Sequence, residues 1–245
     1  MEYYSSSAFV LKKEPIKESD RRYVFFTKDF GKISLLAQGA RKIKAKLSSH
    51  LEPPVLSQIE FVVGNTSRLL GALEEEPYLE IKKDETALAA ALEILALTDE
   101  MTIENQDDKA LWKLIFDVLF FMEKNGRKYN ELTDFSKFYF NARLLTLMGF
   151  KPFLGECSEC HKRTENGFFN FRNKSFFCKN HAKTNDFLIK TEQKRILDFF
   201  FEAPLNFFSQ PSLVKKIMEE REFLKQFLKS FTLSVKSDIL YFKNS

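Results

Sequence analysis

The sequence predicts an α+β protein whose β structure comes first and whose remaining length is mainly helical. Short apolar stretches separated by turn residues fill residues 1–80, and apolar residues at helical spacing begin near residue 84. A third observation is a cysteine-bearing segment that interrupts the helical part. We therefore expect one domain of residues 1–80 and a helical domain of residues 81–245, with the segment 155–185 inserted in it.

The first domain is predicted from five short stretches rich in Val, Ile, Phe and Leu. The predicted strands are Ser7–Lys13, Arg21–Lys28, Gly31–Ala37, Leu56–Val63 and Ser67–Leu73. Hairpin turns are expected at Asp29–Gly31 and Gly64–Thr66, because glycine and asparagine accept a positive φ at low cost. Five short strands favour a small barrel, with the five-stranded oligonucleotide-binding (OB) fold as first candidate. An SH3-like barrel and an open meander fit the same periodicity.

The stretch between the third and fourth predicted strands is strongly basic. It has no Asp or Glu from Phe30 to Leu51. Its cations are Lys32, Arg41, Lys42, Lys44 and Lys46. Such a block repels itself unless a polyanion neutralises it, so we predict contacts with nucleic-acid phosphates. Arg21 and Arg22 are assigned to the same DNA-binding surface, which Lys12, Lys13 and Lys28 would widen. The alternative is that these side chains are only solvated.

Three aromatic residues, Tyr23, Phe25 and Phe26, lie in the second predicted strand beside these cations. If they faced outward they could stack on bases. Large aromatic side chains are usually buried, so we favour a place in the barrel core.

The helical part is predicted from apolar residues three and four positions apart. Five helices are expected. The first begins at Asp84, and the others span Asp107–Lys124, Asn130–Met148, Thr191–Phe201 and Ser209 to about Ser230. Thr191 and Ser209 are the expected N-caps of the last two, and Gly149 is a C-cap candidate. We assign the apolar faces of these helices to the core.

The three cysteines of the chain all lie between residues 157 and 181. Cys157-x2-Cys160 and Cys178-x2-His181 together offer four nitrogen and sulfur ligands in two close pairs, which is typical of tetrahedral zinc. With all four positions filled by protein, no position is open for a water. We therefore predict a structural zinc ion, not a hydrolytic one.

Other interpretations of these cysteines were considered. Residues 157–161 also match the C-x-x-C-H string of c-type haem attachment, but that leaves Cys178 and His181 without a role, and no signal-peptide pattern precedes it. A disulfide would leave an odd cysteine, and the third alternative is a set of buried thiols.

Between the cysteine pairs, residues 167–177 predict a hairpin that turns at Arg172–Lys174. From Cys157 to Arg195 nine Lys and Arg face four Asp and Glu. This excess gives either a second contact surface or only a soluble segment.

Motifs of common enzymes are missing from the sequence. It has no G-x-x-x-x-G-K-[ST], G-x-G-x-x-G, H-E-x-x-H or G-x-S-x-G string. No apolar run reaches the roughly 18 residues that span a bilayer. We therefore expect a binding protein rather than an enzyme, located in the cytoplasm and associated with the nucleoid.

Several blocks of sequence carry a resemblance. They are Asp29–Lys42 (DFGKISLLAQGARK), Leu51–Pro54 (LEPP), and Leu144–Pro152 (LLTLMGFKP) leading into Cys157–Cys160. With the order of barrel, basic loop, helices and metal segment, this chain resembles the RecO family of bacterial DNA repair and recombination proteins. It departs from the four-cysteine members at His181, which is still an acceptable zinc ligand, and in the low glycine content of the hairpin.

The resemblance implies an OB-fold domain that binds single- and double-stranded DNA and anneals complementary strands. It also implies partnership with RecR, contact with the C-terminal tail of the single-stranded DNA-binding protein, and loading of RecA onto coated strands without nucleotide hydrolysis. Two other functions fit the residues themselves. One is an RNA-binding or ribosome-associated OB protein with a zinc knuckle, and the other is a zinc-stabilised scaffold that binds only proteins.

Overall fold

A computed structural model describes residues 2–16, 20–37, 50–64, 66–125, 131–205 and 211–243 of the chain. The chain forms two compact units, Met1–Lys137 and Phe138–Ser245. This division falls inside a helix, and the domain boundary that we predicted at residue 80 stays a prediction.

The first unit begins with the five strands that the sequence predicts. They are β1 (Glu2–Pro15), β2 (Arg21–Thr27), β3 (Gly31–Ala37), β4 (Leu56–Val63) and β5 (Arg68–Glu76). The bounds of β3 and β4 match the predicted ones, and β2 ends one residue earlier. β1 is longer than predicted because it pairs with two neighbours in succession, β4 along Glu2–Phe9 and β2 along Ala8–Pro15.

The pairing of the strands runs β1-β2-β3-β5-β4 and returns to β1, so that the sheet closes on itself as a barrel. Neighbouring strands are antiparallel except β3 and β5, which meet in parallel at Leu36 and Arg68. The β2–β3 turn ends at Gly31, whose φ is +64°. A mixed α+β chain that starts with five strands is thus confirmed.

Alternate strand residues fill the inside of the barrel. The buried cluster includes Ala8, Val10, Tyr23, Phe25, Ile33, Leu35, Ile59, Phe61 and Leu69. Tyr23 is 1% exposed, and Phe25 and Phe26 are fully buried. The prediction of a place in the barrel core is confirmed for Tyr23 and Phe25. It was wrong for Phe26, which is buried but does not belong to that cluster, because alternate strand residues face opposite sides of the sheet.

The helices of the first unit follow the barrel directly. They are α1 (Leu79–Lys82), α2 (Glu85–Met101), α3 (Lys109–Asn125) and α4 (Glu131–Leu147), of which α4 continues past the division between the units. The start of α2 and both ends of α3 and α4 were predicted within one or two residues. Asp84 caps α2, since its side chain accepts a 2.8 Å hydrogen bond from the backbone N–H of Ala87.

These helices cover part of the barrel's outer surface. Phe9 lies opposite Phe26 in the β1–β2 ladder, and its ring centroid is 5.7 Å from that of Trp112 on α3. Lys28, at the β2–β3 turn, places its amine 5.5 Å from the centre of the Trp112 ring. The barrel interior holds Tyr23 and Phe25. Phe26 lies outside that interior and is nevertheless buried, because the helices cover this part of the barrel.

The second unit holds a small sheet and the last three helices. Its elements are β6 (Gly167–Asn170), β7 (Ser175–Phe177), β8 (Phe187–Ile189), α5 (Thr191–Glu202), α6 (Pro211–Met218) and α7 (Arg221–Lys243). β6 and β7 form the predicted hairpin, and β8 pairs with the other edge of β6. Phe223, Phe227 and Phe231 of α7 pack their rings against phenylalanines of this sheet region.

Two predictions for the last helices were wrong. The N-cap of α5 is Lys190, and Thr191 is its first residue, because the Asn166 side chain accepts a 2.9 Å hydrogen bond from the Thr191 backbone N–H. The single helix expected through Ser230 is two helices, with a break at Glu219–Glu220, and the second extends to Lys243. Ser209, the expected cap, lies outside the described residues.

Within the described ranges, no helix combines the length and the apolar content that a membrane span requires.

Candidate metal centre and nucleic-acid interface

The four predicted zinc ligands meet in the second unit. The ligand atoms of Cys157, Cys160, Cys178 and His181 all lie within 4.8 Å of one another. The Sγ atoms of Cys160 and Cys178 are 3.9 Å apart, and His181 Nδ1 is 3.4 Å from Cys157 Sγ and 3.5 Å from Cys178 Sγ.

These separations can be compared with those in a tetrahedral zinc site. Zn–S bonds of about 2.3 Å and Zn–N bonds of about 2.1 Å place two sulfurs about 3.8 Å apart and a sulfur and a nitrogen about 3.6 Å apart. The three measured distances fall within a few tenths of an ångström of these values. The donor set and its spacing therefore fit a four-coordinate zinc ion, held by Nδ1 of His181.

Local turns build this geometry from the two short sequence pairs. In the first knuckle, the backbone N–H of His161 donates to the Cys157 carbonyl, and that of Cys157 donates to the Lys162 carbonyl. In the second, the N–H groups of His181 and Ala182 both donate to the Cys178 carbonyl. A further bond, from Ser158 N–H to the Phe176 carbonyl, ties the first knuckle to β7.

The electrostatics of the cluster favour a thiolate at Cys157 and disfavour one at Cys160. Burial raises the pKa of Cys157, but backbone N–H groups of Cys160, Cys178 and Glu159 and the His181 ring lower it, to about 5. For Cys160, the Lys162 backbone N–H lowers the pKa, whereas burial and the neighbouring Cys157 and Cys178 sulfurs raise it, and the net pKa lies above that of a free thiol. Two adjacent sulfurs with opposite shifts are what crowding of negative charge produces before a cation is added.

The haem interpretation assigns His161 to the metal, but His161 is exposed and contributes no atom to the cluster. The three cysteines are all free thiols, so no disulfide forms among them. The structure thus brings together the set that the zinc prediction named.

The second candidate site is the basic surface of the barrel. Four of its predicted residues, Arg41, Lys42, Lys44 and Lys46, lie outside the described residues. The point at which the described chain enters this loop is Ala37, which lies opposite Arg21 in the β2–β3 ladder. Arg22, opposite Leu36, is exposed, and Arg21 is partly exposed.

Lys32 occupies a different environment from Arg21 and Arg22, the other predicted DNA contacts that the structure describes. Its amine is 2.5 Å from the Asp99 carboxylate of α2 and donates a 2.6 Å hydrogen bond to the Asp99 carbonyl. Its side chain is only 14% exposed. Lys32 therefore joins β3 to α2, and we leave it out of the surface proposed below.

The cations expected to widen that surface have protein partners that the sequence did not reveal. Lys12 forms an ion pair with Glu14, and Lys13 with Glu52 at 2.5 Å. The pKa of Lys12 is raised by its hydrogen bond to Glu14 and by the charge of that carboxylate. Glu14 is two residues from Lys12 on the same strand, so the spacing could have indicated this pair. Glu52 is 39 residues from Lys13, and spacing along the chain gave no signal for it.

Comparison with known proteins gives an independent assignment. Residues 1–77 match the family model "Recombination protein O N terminal", and residues 82–231 match "Recombination protein O C terminal". DNA repair protein RecO of Acetivibrio thermocellus is 27% identical over 180 residues, which cover 73% of this chain and 70% of that protein. The RecO proteins of Thermodesulfovibrio yellowstonii and Bacillus mycoides are each 24% identical, over 230 and 203 residues. These cover 90% and 80% of this chain and 89% and 79% of the respective relatives. Since one family model alone spans more than half of its length, this chain belongs to the recombination protein O (RecO) family and has a role in DNA repair and recombination.

Proposed function

We propose that this protein is a DNA-binding recombination mediator that binds single- and double-stranded DNA through one end of its barrel and anneals complementary strands. With RecR, it would help to load RecA onto strands coated by the single-stranded DNA-binding protein, whose C-terminal tail it would contact. These partners are inferred from the family. The function needs no catalytic group, and we propose no enzymatic activity.

The observation that carries the DNA-binding part is the register Arg21–Ala37. Because Ala37 is the last described residue before Arg41, Lys42, Lys44 and Lys46, the basic loop leaves the barrel beside Arg21 and Arg22. This register supports the proposal that the loop cations act together with Arg21 and Arg22. Each phosphate that they neutralise releases counterions, which favours binding without regard to sequence.

We assign the barrel to the OB fold on its strand order and on the parallel closure between β3 and β5. OB folds bind oligonucleotides over strands 2 and 3 and the adjoining loops. In this chain the hairpin end of that face is occupied by Lys28, Lys32 and their partners Trp112 and Asp99. The free part is therefore the opposite end, where Arg21 and Arg22 lie.

We further propose that Cys157, Cys160, Cys178 and His181 bind a structural zinc ion. The sheet of β6, β7 and β8 has strands of three and four residues, too short to be stable alone. Zinc would supply part of the free energy that orders this segment.

The DNA-binding proposal is tested by titrating a fluorescent single-stranded oligonucleotide at several salt concentrations. The variants are R21A/R22A and R41A/K42A/K44A/K46A. If each lost side chain contacts one phosphate, the log–log salt slope falls by about 0.7 per residue, thus by about 1.4 and 2.8. An RNA of the same sequence, titrated in parallel, tests for the ribosome-associated alternative.

The control is K83A/K113A, which removes two exposed lysines that form ion pairs with Glu80 and Asp117. It should bind DNA with the wild-type slope. If R21A/R22A and R41A/K42A/K44A/K46A both keep the wild-type salt slope, the barrel end is not the DNA surface. A tenfold preference for RNA would contradict the mediator function.

A further inference from the structure

The metal segment (residues 155–185) contains more unpaired positive than negative charge. Two of its six cations form ion pairs: Arg163 with Glu156 and Lys174 with Asp238. The other four are exposed and have no ion-pair partner among the described residues. They are Lys162, Arg172, Lys179 and Lys183. On the acidic side only Glu159 and Glu165 are similarly exposed.

Three of these cations are placed by the metal ligands themselves. Lys162 follows Cys160 by two residues, Lys179 is next to Cys178, and Lys183 follows His181 by two. Because the ligand atoms converge within 4.8 Å, the two knuckles bring these three lysines around one centre.

Of the three cysteines, Cys157 is fully buried, and backbone N–H groups of both knuckles point at its sulfur, whereas Cys160 and Cys178 are partly exposed. Lys162, Lys179 and Lys183 are all exposed. A polyanion can therefore reach these three lysines without contacting Cys157.

We propose that the metal segment is a second nucleic-acid contact surface, in which Lys162, Lys179 and Lys183 bind the phosphates of single-stranded DNA without reading sequence. It adds to the barrel surface and does not depend on it. Lysine suits this role because it acts as a mobile point charge rather than a planar fork. An acidic protein is the less fitting partner, because tight protein docking also needs a large apolar anchor. None is next to these lysines in the sequence, where the neighbours are His161, Arg163, Cys178, Asn180, Ala182 and Thr184.

The test is the salt dependence of oligonucleotide binding by K162A/K179A/K183A in the full-length protein. We expect the log–log slope to fall by about 2, or 0.7 for each of three phosphates. The control variant K215A/K225A/K229A removes the same charge from exposed positions on α6 and α7 of the same unit. It should keep the wild-type slope.

Metal content, measured as zinc per chain, separates loss of charge from loss of structure. The variant K162R/K179R/K183R keeps the charge and should bind as the wild type. In the R21A/R22A/R41A/K42A/K44A/K46A background, K162A/K179A/K183A should remove most of the remaining binding, which distinguishes this surface from the barrel surface.

Two results would overturn the proposal. One is a wild-type slope for K162A/K179A/K183A with its metal retained. The other is binding of a polyglutamate peptide that is lost in this variant while oligonucleotide binding is unchanged, since the lysines would then serve an acidic protein.

Discussion

Position 31 requires glycine for two reasons. Its φ of +64° lies in the left-handed region, and a Cβ built on it would be 1.8 Å from the carbonyl oxygen of Gln106. The β2–β3 turn and the segment that leads into α3 thus touch backbone to backbone. No other residue can be placed there without moving one of them.

We predict that Gly31→Ala destabilises the protein by about 2–4 kcal/mol, through backbone strain and overpacking together. Urea unfolding followed by circular dichroism measures the loss. Gly64→Ala is the matched control, since its Cβ would meet nothing within 4 Å and its φ is not positive. It should change the unfolding free energy by no more than about 0.5 kcal/mol. Equal effects of the two substitutions would contradict the steric argument.

At the scale of elements, one ion pair joins a strand to a helix. Lys32 of β3 and Asp99 of α2 are 14% and 23% exposed, so water screens their attraction poorly. The Lys32 amine also donates to the Asp99 carbonyl near the C-terminal end of α2, where carbonyls lack helical partners. This pair therefore fixes the position of α2 against the barrel.

A double-mutant cycle with Lys32→Met and Asp99→Asn tests this link. Each single change leaves a partly buried group without its partner, so we expect the double variant to lose less stability than the sum, by about 1–3 kcal/mol. The pair Lys113–Asp117 on α3, whose side chains are 70% and 39% exposed, is the control, with an expected coupling below about 0.5 kcal/mol. Lys32→Met should also leave the salt slope of DNA binding unchanged. A coupling near zero for the first pair would mean that packing alone holds α2.

The sequence allowed prediction of those elements whose signal is local. The bounds of β3, the helix start near Asp84 and the grouping of Cys157, Cys160, Cys178 and His181 all depend on residues within a short window, and each was found as expected. β8 was missed because three residues carry no periodicity and the strand exists only by pairing with β6.

The same limit applies to the candidate sites. The partner of Lys32 is 67 residues away, so its identity could not be read from spacing. The cluster of Cys157, Cys160, Cys178 and His181 was predictable because cysteine is rare in this chain and its spacing matches one coordination chemistry. The DNA-binding role of the basic residues Arg41–Lys46 stays a prediction from the charge pattern, whereas the pairing of Arg21 with Ala37 required the strand register.

At the scale of the whole molecule, the chain offers a separate probe for each of its two compact units. Trp112 is the only tryptophan and belongs to Met1–Lys137, where its ring contacts Phe9 and Phe116. The metal cluster belongs to Phe138–Ser245. Tryptophan fluorescence therefore reports unfolding of the first unit, and metal release reports that of the second.

We predict that loss of the metal destabilises the second unit far more than the first. The zinc content of Cys157→Ser, measured on protein that has not been exposed to a chelator, should be less than one ion per chain. Near-ultraviolet circular dichroism from the phenylalanines that pack around Phe169 should weaken, because the small sheet loses its cross-link. The urea midpoint of Trp112 fluorescence should shift little, since none of the four proposed ligands lies in its unit.

Ser158→Ala, next to the ligand Cys157 but without a ligand atom, is the control and should retain the zinc. If Cys157→Ser lowers the urea midpoint of Trp112 fluorescence at the same time as it weakens the phenylalanine signal, the two units unfold as one. The metal then stabilises the barrel as well as the segment that binds it.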